Sequence, residues 1–129
     1  MNLEINQETL AWREAMRLAM KRQRLANGVC SNCGYSDVRA LQNVKITLCA
    51  DCRHILEDHN PIEYHHLFGK AYPFVIPMLA NEHAIVSDMM HVYRKELTDP
   101  EITALYSFRS FLSRLLELID WQIEECKSR

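Results

Sequence analysis

The chain has 129 residues, 48% of them apolar and 25% charged. That is the make-up of one folded domain, and it argues against two domains or a long disordered tail. Fifteen Lys+Arg against seventeen Asp+Glu give a formal charge of -2, which does not suit a protein that coats nucleic acid by charge alone. No apolar run approaches the roughly 20 residues needed to span a bilayer. Met1-Asn2-Leu3-Glu4 opens without a basic-then-apolar leader, so the expected location is the cytoplasm.

From Gln7 to Ala26, Leu10, Ala11, Ala15, Leu18, Ala19 and Leu25 recur near helical spacing, and Asn27-Gly28 supplies a stop. This N-terminal segment is the basic end of the chain. Arg17, Lys21 and Arg24 share one helical face beside Arg22. Such a stripe is either a solvated face with cations near a helix C-terminus or a set of phosphate contacts, and the two readings carry similar weight.

Cys30-Ser-Asn-Cys33 and Cys49-Ala-Asp-Cys52 follow, two CxxC pairs separated by fifteen residues. Each CxxC turn aims two thiolates at one point, and four thiolates complete the tetrahedron that zinc accepts. The expected cofactor is therefore a structural Zn2+ over a knuckle spanning 29–60, with no open coordination position. Buried free thiols and a redox motif are the alternatives. Cys126 stands apart from the quartet. Between the pairs, Val44-Lys45-Ile46-Thr47-Leu48 alternates like a short strand, and Cys52 to His59 reads as one or two helical turns closed by Asn60-Pro61.

Residues 62–68 are compatible with a strand, Gly69-Lys70 breaks it, and Phe74-Val75-Ile76 before Pro77 reads as a second. Asn81 is the expected N-cap of a helix running to about Leu97 on the stripe Ile85, Met89, Val92. Thr98 and Glu101 then have capping-box spacing for a long amphipathic helix over 98–127, with Leu105, Phe108, Leu112, Leu115 and Ile119 on one stripe. That helix packs on the N-terminal one or on its copy in a homodimer. Four of the six histidines, His65, His66, His83 and His91, fall between 62 and 95. Adjacent histidines on a strand point to opposite faces, so His65 and His66 have different jobs.

The stretch Ile62-Glu63-Tyr64-His65-His66-Leu67-Phe68-Gly69-Lys70, followed by Val75-Ile76-Pro77 and Asn81-Glu82-His83, resembles the HNH endonucleases over about residues 49–95. The C-terminal amphipathic helix resembles the tail of some bacterial and phage members. The resemblance implies an α+β, mainly helical fold: a treble-clef-like zinc knuckle and a ββα-metal hairpin-helix core over 61–97, in one domain with flanking helices. It implies His65 and His83 as ligands of one catalytic divalent ion, Mg2+, Mn2+, Ni2+ or Zn2+, and His66 as general base hydrolysing phosphodiesters, most readily of DNA. Lys70, with Arg53 and the Arg17, Lys21, Arg24 stripe, would then touch nucleic acid, and Glu63 would orient a histidine.

The sequence departs from that family in three places. The second CxxC of zinc-bearing members would fall at Leu79 and Glu82, so Cys30 and Cys33 are expected to supply that pair from upstream. The middle Asn is missing from Ala71-Tyr72-Pro73-Phe74. Ser87 stands where some relatives carry a further His. Two other readings compete. One is a non-catalytic zinc module that binds nucleic acid or protein. The other is a regulator in which His65, His66 and His83 close a zinc site with Cys126 or His54.

Overall fold

The structure, a computed structural model, describes residues 7–129; the opening Met1-Asn2-Leu3-Glu4 lies outside the described residues. In chain order it comprises α1 (Gln7–Arg24), a 3-10 turn (Val38–Ala40), β1 (Leu41–Val44), β2 (Ile46–Cys49), α2 (Ala50–Leu56), β3 (Ile62–His66), β4 (Val75–Leu79), α3 (Ala80–His91) and α4 (Pro100–Lys127). The fold is thus mixed α+β and mainly helical. No described helix is long and apolar enough to cross a membrane.

The strands form two separate antiparallel hairpins, β1 with β2 and β3 with β4. Lys45 alone turns the first, at φ 77°, between the paired Val44 and Ile46. Leu41 pairs with Cys49, so this hairpin delivers the third cysteine beside the first pair. Asn27 and Ser31 tie the incoming chain to Thr47, through its hydroxyl at 2.8 Å and its carbonyl at 2.8 Å. Gly34, at φ 82°, sits in the left-handed region that favours glycine and lets its amide close back on the Cys30 carbonyl at 2.9 Å.

The second hairpin pairs His65 with Ile76 and His66 with Val75. Pro77 does not follow β4 as expected but lies within it, opposite Tyr64. In a two-stranded sheet every strand keeps an open edge, where a missing N–H costs no ladder bond. Gly69, at φ 85°, lies in the turn between β3 and β4, and a Cβ there would stand 3.2 Å from the Thr103 methyl of α4.

Helix α3 begins at Ala80 with Leu79 as an N-cap that offers no side-chain bond. Asn81, expected as that cap, lies inside the helix and is buried. The helix stops at His91 rather than Leu97, passing into turn bonds such as Tyr93 N–H to the Met90 carbonyl. The cap of α4 is Asp99, which accepts the Ile102 amide at 2.9 Å; Thr98, one residue early, is not the cap. Small residues of α4, Ala104, Ser107 and Ser110, are buried and allow close approach of the body, while Leu105, Leu116 and Ile119 stay exposed.

Two small cores result. One gathers Cys30, Leu41, Leu48, Cys49 and Cys52, and the other Ala40, Ile85 and Met89, with Tyr35 packed against both. An ion-pair network fastens the turn at Asp37 to α3 and α4. Arg39 holds Asp37 and Glu117 at 2.6 and 2.7 Å, and Arg114 grips Glu82 with both arms at 2.6 and 2.9 Å.

Candidate metal centres

The four cysteines converge. Cys30 and Cys33 sit on the turn closed by Gly34, Cys49 caps α2 and Cys52 lies in its first turn. All four sulfurs lie within 4.8 Å of one another, none is in a disulfide, and Cys33 Sγ is 3.7 Å from Cys49 Sγ. Zinc–sulfur bonds of about 2.3 Å in a tetrahedron require sulfurs about 3.8 Å apart, so the quartet has the spacing to hold a zinc ion. Among the described residues it is the one group of three or more His, Cys, Asp or Glu whose ligand atoms gather this closely.

The electrostatics suit a cation. Burial opposes ionisation of Cys30, but the backbone amides of Cys49, Cys33 and Asn32 outweigh it and hold the thiol down to about 6. Burial pushes Cys52 up to about 12 and raises Cys49. One thiol ionises readily, and the others need a cation to displace their protons. Asn32 also donates to Cys52 Sγ at 3.3 Å, a support for a ligand of the kind that fixes its orientation.

A second cluster is built on the hairpin and α3. Alternation along β3 puts Glu63 and His65 on one face, and α3 brings His83 against them. Glu63 Oε2 takes the His83 Nδ1–H in a very short contact. The rings of His65 and His83 meet edge to face, centroids 5.2 Å apart at 64°. His65 is 6% exposed, and its Nε2 is buried without a hydrogen-bond partner among the described residues. Such an atom costs about 1–3 kcal/mol when left unmade. Burial first, then the neighbouring His83 and His66, hold this ring down to about 4, so at pH 7 it is neutral and has a lone pair to offer. Two imidazoles beside each other, one anchored by a carboxylate, have the donor set for two ligands of a divalent ion, whose other positions would go to oxygen donors.

His66 ends β3 and is half-buried, on the face away from Glu63 and His65. No hydrogen bond or ion pair fixes its ring among the described residues; its carbonyl accepts the Ser107 hydroxyl at 3.2 Å. Lys70 is exposed in the turn after Gly69. Arg17 is committed to Asp88, with NH2 2.6 Å from Oδ2, and Lys21 is half-buried with Nζ on the Arg39 carbonyl at 3.1 Å. The basic face of α1 therefore commits Arg17 and Lys21 within the fold, and Arg24 is exposed at its end. Arg53 is likewise occupied, by Gln42 at 2.5 Å and Glu57 at 3.2 Å. Cys126 is exposed near the end of α4, outside both clusters.

The sequence reading gave no role to Asp51 and entertained His54 only as a metal ligand. His54 Nε2 stands 2.8 Å from Glu63 Oε1, and Asp51 and Asn81 each accept the other's backbone amide on a side-chain oxygen. Both contacts span stretches of chain that no local pattern links, and the one available signal was the proximity of both residues to the second CxxC. Compared with family models, curated proteins and solved structures, the chain matches none.

Proposed function

We propose that the protein is a metal-dependent endonuclease of the HNH kind, with a structural zinc in the cysteine quartet and one divalent ion held by His65 and His83. The observation that carries this reading is the meeting of His65, with its unpartnered buried Nε2, and the Glu63-anchored His83 at a hairpin-plus-helix. A bound divalent ion would supply charge neutralisation at a scissile phosphate. His66, whose ring makes no hydrogen bond or ion pair among the described residues and which is adjacent to a ligand, takes a proton from water as that water attacks phosphorus. The phosphorus–oxygen bond opposite the attack breaks, leaving a phosphate on one strand end and, as the departing oxygen takes a proton from solvent, a hydroxyl on the other. Lys70, exposed beside the hairpin, is placed in this reading on the nucleic-acid backbone. DNA is the expected substrate.

A non-catalytic zinc module that binds nucleic acid or protein is the second reading. It is favoured by the absent middle Asn and by the internal use of Arg17 and Lys21. Nicking of supercoiled plasmid by wild type and His66→Ala, with Mg2+, Mn2+ or Ni2+ and with EDTA, separates the two. The nuclease reading expects cutting by wild type alone, in metal alone, with activity reduced by about 100-fold or more in the variant. Absence of cutting on plasmid, single-stranded DNA and RNA by folded protein, with a single inert zinc per chain, would establish the binding module.

A further inference from the structure

Helix α2 starts on two of the four thiols: Cys49 is its N-cap and Cys52 its third residue. A metal in the quartet therefore fixes the start of this helix, and two ties run from the helix to the histidine cluster. The first passes through His54. Its Nδ1 faces the Asn60 carbonyl at 3.0 Å and its Nε2 faces Glu63 Oε1 at 2.8 Å. His54 is thereby held between a backbone carbonyl and one oxygen of the Glu63 side chain. Glu63 then has one oxygen on His54 and the other on His83 Nδ1. Because a carboxylate oxygen accepts, the His83 nitrogen that faces it is the hydrogen-bearing Nδ1, and Nε2 is the nitrogen turned away from Glu63.

The second tie is a reciprocal clasp between helix starts. Asn81 Oδ1 accepts the Asp51 amide at 2.9 Å, and Asp51 Oδ1 accepts the Asn81 amide at 2.7 Å. Each side chain satisfies an N-terminal amide that the other helix leaves open. Asn81 is 6% exposed and stands two residues before His83, so the clasp sets where α3 begins relative to α2.

We infer that α2 is the positioning element of the histidine site: His54, acting through Glu63, holds His83 in the tautomer that presents Nε2 to a divalent cation, while the Asp51–Asn81 clasp fixes the helix that carries it. Glu63 is about one-third exposed. Without His54 its free oxygen would turn to solvent, and the carboxylate would lose the second anchor that aims it at His83. A carboxylate on the distal nitrogen of a ligating histidine fixes ring orientation and tautomer, and losing such support costs about 10–100-fold in metal affinity. The knuckle and the histidine site thus share one scaffold, and filling the first organises the second. This inference rests on the His65/His83 metal reading above.

The test uses the full zinc-loaded chain with Mn2+ alone as probe, followed by loss of the free-ion EPR signal, and the 15N imidazole spectrum of His83 without added Mn2+. His54→Ala is expected to weaken Mn2+ by about 10-fold or more and to turn a single Nδ1–H tautomer into a mixture, at unchanged zinc content. His54→Gln, whose amide can still donate to Glu63, should recover most of both. Should His54→Ala fail to retain zinc, Glu63→Asp replaces it; one methylene shorter, it cannot span both rings and should give the same two losses. Wild-type Mn2+ affinity and an undisturbed His83 tautomer in whichever variant holds zinc would overturn the inference. A tautomer that shifts in the variants of a protein that binds no Mn2+ would sustain the positioning role and overturn the metal reading alone.

Discussion

Cys30 shows how far single residues were legible. Its pairing with Cys33, Cys49 and Cys52 follows from spacing, because a CxxC turn brings its own two sulfurs together whatever surrounds it. The sulfurs do gather within 4.8 Å. Serine at position 30 keeps the shape but offers a hydroxyl that does not ionise near neutral pH. Since changes outside the ligand sphere already cost about 10–100-fold in metal affinity, loss of a ligand should cost at least that. Cys30→Ser should therefore lose most of its zinc by elemental analysis after dialysis, whereas Cys126→Ser, with an exposed thiol, should keep it. Full zinc in Cys30→Ser would remove the upstream pair from the site. His54 and Asp51 were not legible in the same way. Their partners Glu63 and Asn81 lie 9 and 30 residues along the chain, and only the fold brings them together.

At the scale of elements, patterns with a strong local cause survived and those decided by tertiary contacts did not. α4 forms over nearly its expected range with its cap one residue on at Asp99, but Leu105, Leu112, Leu115 and Ile119 of its expected stripe stay exposed and the small residues Ala104, Ser107 and Ser110 face the body instead. β1 had no alternating pattern to reveal it and exists through its pairing with β2. α3 ended early, at His91 before the stripe residue Val92, while its start is held by Asp51 rather than by a cap of its own. The joints between elements are charged, and this gives them a pH dependence. Burial opposes ionisation of Asp37 and Glu117, but Arg39 and Arg114 outweigh it and hold both carboxyls below the usual range. A carboxyl depressed in the folded state stabilises above its unfolded pKa of about 4, and that stability is lost as pH falls through the folded value. Glu117 is 41% exposed and its share is screened, so the network contributes on the order of 1 kcal/mol. Arg39→Met should lower the melting temperature by a few degrees at pH 7 and by progressively less below about pH 4. An equal deficit at pH 7 and pH 3 would assign the loss to packing instead.

For the whole molecule, the decisive quantity is how little apolar surface surrounds the quartet. Three of the five residues of that core, Cys30, Cys49 and Cys52, are the thiols themselves, leaving Leu41 and Leu48 as its fully apolar members. Burying two leucines is worth about 3–6 kcal/mol, whereas a structural zinc contributes an apparent 10–16 kcal/mol or so in small zinc domains. Total stability of a domain this size is roughly 5–15 kcal/mol. If zinc fills the quartet, the hairpin, α2 and the Gly34 turn depend on it, and α2 carries that dependence into α3 through the clasp. The histidine cluster does not depend on its own divalent ion for its fold, because α3, which carries His83, packs Ile85 and Met89 with Ala40 in an apolar core. The two sites should therefore answer differently to chelators. A brief EDTA wash that leaves zinc in place should abolish cutting until Mn2+ is added back, with no change in far-UV circular dichroism. Stripping the zinc itself with a tighter chelator such as TPEN should cost helical signal and the cooperative melt, both returning on addition of Zn2+. A zinc-free protein with an unchanged melting curve would show that the apolar contacts suffice, and that the quartet plays no part in holding the fold.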